Sequence, residues 1–231
     1  MKIVYWSDYA CPYCYIGETH LKKAMAELGL ENKVEVEMKA FELDPTASKS
    51  YVGPTVDRFA KKYGLSMEAA AKRIDGISEM GHQTGLDFRY AETRYTNTFD
   101  AHRLTKLAQS KGGNLADRLS ERLYHAYFAE GLELADYAVL TKIATEEGLP
   151  EGEVREVLES DRYADEVRLD ERESQRYGIT GVPYFLLNGS YGIPGALSVE
   201  GMKSALRELM TAEQSTQAGG MTCGPDGCRI G

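Results

Sequence analysis

With 231 residues, 42% hydrophobic and 27% charged, the chain can bury a sizeable core, which excludes disorder throughout. Its 36 acids outnumber 27 bases for a formal net charge of -9, and no stretch clusters lysine and arginine, so nucleic acid is excluded as a partner. No window approaches a membrane span and Met1-Lys2 runs directly into apolar sequence without a secretion signal, so a cytoplasmic protein with no membrane partner is expected.

In chain order, Lys2 to Trp6 is β-branched and aromatic and stops at Ser7-Asp8, which predicts a buried strand. Cys11-Pro12-Tyr13-Cys14 follows, and then apolar residues recur at helical steps to Leu28, with Gly29 as the stop. Pro12 suits the first position of a helix, where its missing N–H is no loss. Cys11 is therefore the expected N-cap and Cys14 lies in the first turn. The free N–H groups and positive end of the helix favour thiolate over thiol at Cys11. Cys11 is accordingly the expected attacking sulfur, and a more buried Cys14 resolves the mixed disulfide. Val34, Val36 and Met38 alternate with charged residues up to Phe41, giving a second strand and a β-α-β unit over residues 1–44, with parallel strands and the cysteines at the carboxyl end of the first.

From Asp44-Pro45 strand signals vanish. Seven stretches carry helical spacing, at 55–63, 66–81, 98–110, 114–129, 136–147, 151–159 and 161–177, several with Ser66, Asn114, Asp136 or Asp161 as caps and glycine stops such as Gly64, Gly112 and Gly178. Short polar loops between them predict an all-helical insertion over 45–177. Strand character returns at Pro183 to Leu187, before Asn188-Gly189, a strong hairpin signal, and Tyr191 to Ile193; Ser198 then caps a last helix through Leu209. Residues 178–210 thus supply β-β-α, and the fold class expected is α/β: a thioredoxin-like fold split by a large helical insertion. Thr211 to Thr222 has almost nothing to bury and is expected to be a mobile linker within a flexible tail, 211–231. That tail ends in Cys223-Gly224-Pro225-Asp226-Gly227-Cys228, where a turn would bring the cysteines together as a second redox pair able to exchange with Cys11 and Cys14.

The strand, Cys11-Pro12-Tyr13-Cys14, the helical insertion and Thr180-Gly181-Val182-Pro183 together resemble the DsbA-like thiol oxidoreductases over residues 1–210, most closely the cytoplasmic FrnE-type branch. The resemblance implies a disulfide oxidoreductase or isomerase acting on protein or small-molecule thiols and disulfides, with a place in oxidative stress. It also implies a cis bond at Pro183, with Pro12, Tyr13, Val182 and Pro183 forming the substrate cleft. No cofactor beyond the Cys11/Cys14 disulfide is expected, with glutathione admitted as a thiol partner. The related kappa-class glutathione transferases and 2-hydroxychromene-2-carboxylate isomerases share the fold but carry serine near the position of Cys11. They stand as the alternative.

A zinc-stabilised binding module, with Cys11, Cys14, Cys223 and Cys228 as ligands, is the other alternative. Zinc does not demand Pro12 or Pro183, so no metal is expected. Tyr9, Tyr13, Tyr15 and Tyr184 divide between an aromatic rim and plain packing. His20, His82, His102 and His125 lack ligand spacing and are expected at the surface or in the core. Asn97-Thr98-Phe99-Asp100 reads as a helix start with a capping role; its resemblance to the insertion of the isomerase branch implies a ligand contact as the alternative.

Overall fold

The structure, a computed structural model, describes residues 1–31, 33–218, 223–224 and 227–228, with side chains through 211. Strand β1 (Lys2–Ser7) leads into helix α1 (Pro12–Glu27) and strand β2 (Glu35–Ala40). Seven helices follow: α2 (Thr55–Tyr63), α3 (Met67–Gln83), α4 (Phe99–Lys111), α5 (Leu115–Phe128), α6 (Tyr137–Glu146), α7 (Glu151–Glu159) and α8 (Ala164–Arg176). The chain then returns through β3 (Tyr184–Leu187), β4 (Tyr191–Pro194) and α9 (Val199–Ala218). The sheet order is β2-β1-β3-β4, with β1 parallel to β2 and antiparallel to β3. Two-fold alternation sends Ile3 and Tyr5 of β1 into the main core with Phe185 and Leu187 of β3. Trp6 goes to the opposite face, beside Leu186 and Ile179. Both faces of β1 are therefore covered, as its apolar run requires.

The insertion is welded to this unit through aromatic rings. Tyr15 of α1 stacks on Tyr124 of α5 at 4.9 Å, and Phe128 of α5 stacks on Phe88 at 4.5 Å. Geometry of this kind adds to area burial. Gly81 lets α3 lie directly against Phe88, since a Cβ there would overlap the ring. At the hairpin both Asn188 (φ 48°) and Gly189 (φ 70°) are left-handed, the type I′ turn that their sequence calls for.

Differences from the sequence reading lie at element ends. Ser66 and Asp136 cap α3 and α6 with their side chains. Asn114 makes no cap bond, because its Oδ1 accepts from Arg118. Helix α8 begins at Ala164 rather than near Asp161, because Tyr163 sits left-handed at φ 65° and breaks the helical run. A 3-10 turn at Tyr90–Glu92 had no sequence signal. Most consequentially, α9 continues to Ala218, past the boundary at 210, so the first part of the expected linker is helical. Four residues, 219–222, then separate α9 from β5 (Cys223–Gly224), where the sequence reading had a linker of twelve, Thr211 to Thr222. Residues 219–222 lie outside the described residues.

Candidate active site

β1 ends at Ser7, and the loop Asp8–Cys11 turns the chain into α1. Cys11 N–H donates to the Asp8 carbonyl at 3.0 Å, and Cys14 N–H to the Cys11 carbonyl at 3.1 Å. Cys11 is the N-cap with extended dihedrals (φ -91°, ψ 115°) and Pro12 opens the helix, as its fixed φ and missing donor favour. No acidic side chain stands in the first turn of α1, so nothing there opposes an anion at the helix end. The Cys11 thiol is not used as a cap. Its Sγ donates to the Val182 carbonyl at 3.5 Å, which ties the start of α1 to the loop before β3. The Val182–Pro183 bond is cis.

Two neighbours set this arrangement. Gly17, one turn into α1, allows the close approach of the Pro183 loop: a Cβ there would stand 3.1 Å from Pro183 Cγ and 3.2 Å from Ala196 Cβ, tighter than ordinary contact. Asp8 is buried, and its carboxylate holds three segments together. Oδ1 accepts from Ala10 N–H (3.2 Å) and Thr98 Oγ1 (2.8 Å), Oδ2 accepts from Leu43 N–H (2.7 Å), and His102 Nε2 lies 3.7 Å away. Thr98 thus spends its hydroxyl on Asp8 instead of capping α4, and Asn97 bonds Glu42 and the Phe99 N–H.

The two thiols differ in surroundings. Both are free; Cys11 is 4% exposed and Cys14 is fully buried. Burial pushes the Cys14 thiol well up, and the neighbouring Cys11 adds to this, while the Ser7 hydroxyl and Asp8 backbone act the other way. Cys14 therefore holds its proton as a thiol.

Above Cys11 lies a cavity of about 620 Å³ between the cysteine loop and α2 and α3. Cys11, Pro12, Tyr13 and Val182 all line it. Cys14 lies beneath, and Pro183 is buried behind Val182 rather than in the lining. Of the four tyrosines weighed for a rim, only Tyr13 (42% exposed) lines this cavity; Tyr9 packs on Tyr124, Tyr15 is buried, and Tyr184 lies edge-on to Trp6. Cys223 and Cys228 stand opposite one another in the antiparallel pair of β5 and β6 (Gly227–Cys228), and their side chains lie outside the described residues. Among the described residues no group of three or more His, Cys, Asp or Glu is placed to hold a metal ion.

Sequence reasoning missed Asp8 and the far wall of the cavity. That wall carries Arg58, Phe59, Lys62 and Tyr63 of α2, and Arg73, Gly76, Ile77 and Met80 of α3. Its signal was present as spacing: 58/62 and 59/63 on one helix, 73/76/77/80 on the next, each a single helical face.

The DSBA-like thioredoxin domain family matches residues 2–207. YwbO, an uncharacterized protein of Bacillus subtilis, is 29% identical over 215 residues, covering 90% of this chain and 96% of its own. The structure of the probable DsbA oxidoreductase SCO1869 from Streptomyces coelicolor superposes with a TM-score of 0.85 at 36% identity, over 100% of this chain and 99% of that one. The cytosolic disulfide reductase DsbM from Pseudomonas aeruginosa, solved with glutathione, shares the fold with a TM-score of 0.60 at 19% identity, over 93% and 100%.

Proposed function

Because the chain belongs to the DSBA-like thioredoxin domain family, we propose that it is a cytoplasmic thiol–disulfide oxidoreductase in which Cys11 and Cys14 cycle between dithiol and disulfide. One observation carries this reading: Cys11 lines a cavity beside the Val182–Pro183 loop, to which its Sγ is hydrogen-bonded, while Cys14 is fully buried one helical turn inside. The Cys11 thiolate attacks a substrate disulfide, that S–S bond breaks, and one half leaves as a thiolate that takes a proton from solvent. Cys14 then loses its proton and attacks Cys11 Sγ, which closes the Cys11–Cys14 bond and releases the other half. Two electrons have passed to the substrate, and the reverse sequence oxidises a dithiol. Val182 N–H has no partner among the described residues and is free to bond an extended substrate, with Pro12 and Tyr13 as the facing wall. A cytoplasmic setting is supported by the fold shared with a cytosolic reductase, and no helix among the described residues is long and apolar enough to cross a membrane. Substrates are thiols and disulfides of proteins or small molecules, glutathione among them.

The test follows the two sulfurs separately. Reduced protein treated with iodoacetamide near neutral pH should be modified at Cys11, with Cys14 spared until well above the ordinary thiol range of about 8.5. Treated instead with excess glutathione disulfide and quenched in acid, it should lose two hydrogens as a Cys11–Cys14 disulfide by peptide mapping. Equal alkylation of both thiols at pH 7, together with no internal disulfide, would remove the reading.

Cys223 and Cys228 complete the proposal as a second pair that exchanges with the first. Residues opposite each other in an antiparallel ladder have Cα atoms about 4.5–5.5 Å apart, within the range a disulfide spans. Cys223→Ser and Cys228→Ser should keep the single-turnover rate of Cys11 and slow multiple turnover several-fold. Parent-like turnover in both variants would leave the tail outside the cycle.

A further inference from the structure

The cavity at Cys11 carries a charge opposite to that of the chain. Acids outnumber bases 36 to 27 overall, yet the lining contains Arg58, Lys62 and Arg73 and not one aspartate or glutamate. Arg58 and Lys62 occupy successive turns of α2, and Arg73 faces them from α3. None of the three has a carboxylate partner among the described residues, whereas lysines and arginines elsewhere, such as Lys49, Lys106 and Arg118, are paired. Arg58 lies 3.9 Å over the Tyr95 ring, which fixes its guanidinium, and its Nε is buried with no hydrogen-bond partner. Arg73, on α3, and Tyr13, on the cysteine loop, line the same cavity. Three like charges around one partly enclosed space repel one another, and an anion in that space relieves the repulsion.

Volume narrows the occupant. About 620 Å³ is the scale of a small-molecule site. Cys11 and the apolar Phe59, Tyr63, Ile77 and Met80 line it, so the charged side chains that can select an occupant are these three cations. We propose that this cavity binds a low-molecular-weight disulfide bearing carboxylates, seating its sulfur at Cys11 and its anionic groups on Arg58, Lys62 and Arg73. The assignment rests on the exchange chemistry proposed above and names the substrate class for it. Attack by Cys11 breaks the ligand's S–S bond and releases one half as thiolate. Attack by Cys14 frees the second half, and the protein dithiol supplies both electrons.

Three disulfides of different charge decide it: glutathione disulfide (anionic), bis(2-hydroxyethyl) disulfide (neutral) and cystamine (cationic). The reduced full-length protein is reacted with each, and each rate constant is divided by that disulfide's rate with dithiothreitol. The normalised rate should run anionic over neutral over cationic, with about tenfold or more between the first two. Raising salt from about 20 to about 500 mM should shrink that ratio. Lys62→Gln with Arg73→Gln, both exposed positions, should move it toward one; Arg58→Met is the second variant, with circular dichroism as the check on folding. A parent ratio near one, or a ratio that neither salt nor substitution changes, overturns the assignment while leaving exchange intact. If none of the three disulfides reacts faster with the parent than with Cys11→Ser, the exchange reading itself falls.

Discussion

Replacing Cys11 with serine is expected to reduce disulfide exchange to background, a loss of at least about a thousandfold, because a hydroxyl is not ionised near neutral pH and no other described thiol lines the cavity. Cys14→Ser should behave differently. Its cavity-facing sulfur is untouched, so one attack per chain proceeds at a rate close to the parent's, and the mixed disulfide on Cys11 then persists because nothing lies beneath it to displace the bound half. Mass spectrometry after a short reaction with glutathione disulfide reads this directly, as one glutathionyl group on Cys11 in Cys14→Ser and none in the parent. The asymmetry comes from a single helical turn, which leaves Cys11 at the cap and carries Cys14 into the core, where burial holds it as a thiol. If Cys11→Ser keeps the parent's rate, or if Cys14→Ser accumulates nothing, the two roles are misassigned.

Much of the local fold around the cysteine loop is legible in the sequence. The run Ile3 to Trp6, the proline inside the cysteine pair and the Asn188-Gly189 turn each have one low-energy local solution, and the fold uses it. Legibility stopped where tertiary contact decides. Thr98 and Asn114 look like N-caps, but Asp8 and Arg118 claim their side chains. Residues 211–218 hold no apolar side chain larger than alanine and so read as linker. Their Ala, Glu and Gln are nevertheless good helix formers, and a helix already nucleated by α9 extends through them without needing a buried face. The cationic wall shows the same limit. Arg58 and Lys62 share one face of α2 by their four-residue spacing, but Arg73 belongs to a different helix; the packing of α2 and α3 over the cysteine loop brings the three charges to one cavity.

The largest stability effect is expected far from the thiols, at Asp170. Its side chain is 6% exposed at the meeting of α8, α4 and the end of β2. Oδ2 accepts the Ala40 N–H at 2.8 Å and sits 2.5 Å from Lys106 Nζ, while Oδ1 is 3.9 Å from Lys39 Nζ. The backbone carbonyl of the same residue accepts the Trp6 indole N–H at 3.0 Å, which joins the second, smaller core to α8. Asp170→Ala strands a buried N–H and leaves Lys106, only 11% exposed, without its counter-charge. Breaking one side of such a buried pair costs about 3–5 kcal/mol, so the unfolding midpoint should drop by on the order of 10 °C. Thiol chemistry per folded molecule should not change. Burial outweighs the lysines at this carboxyl, and its pKa is raised. The folded state therefore holds that proton more tightly than the unfolded chain does, and stability falls as pH rises from about 4, the ordinary carboxylate value, through the raised folded one. Asp170→Asn removes that titration. Followed by urea unfolding from about pH 4 upward, the parent should lose stability relative to Asp170→Asn; a parent that gains on the variant over this range would mean that the lysines, and not burial, govern the site.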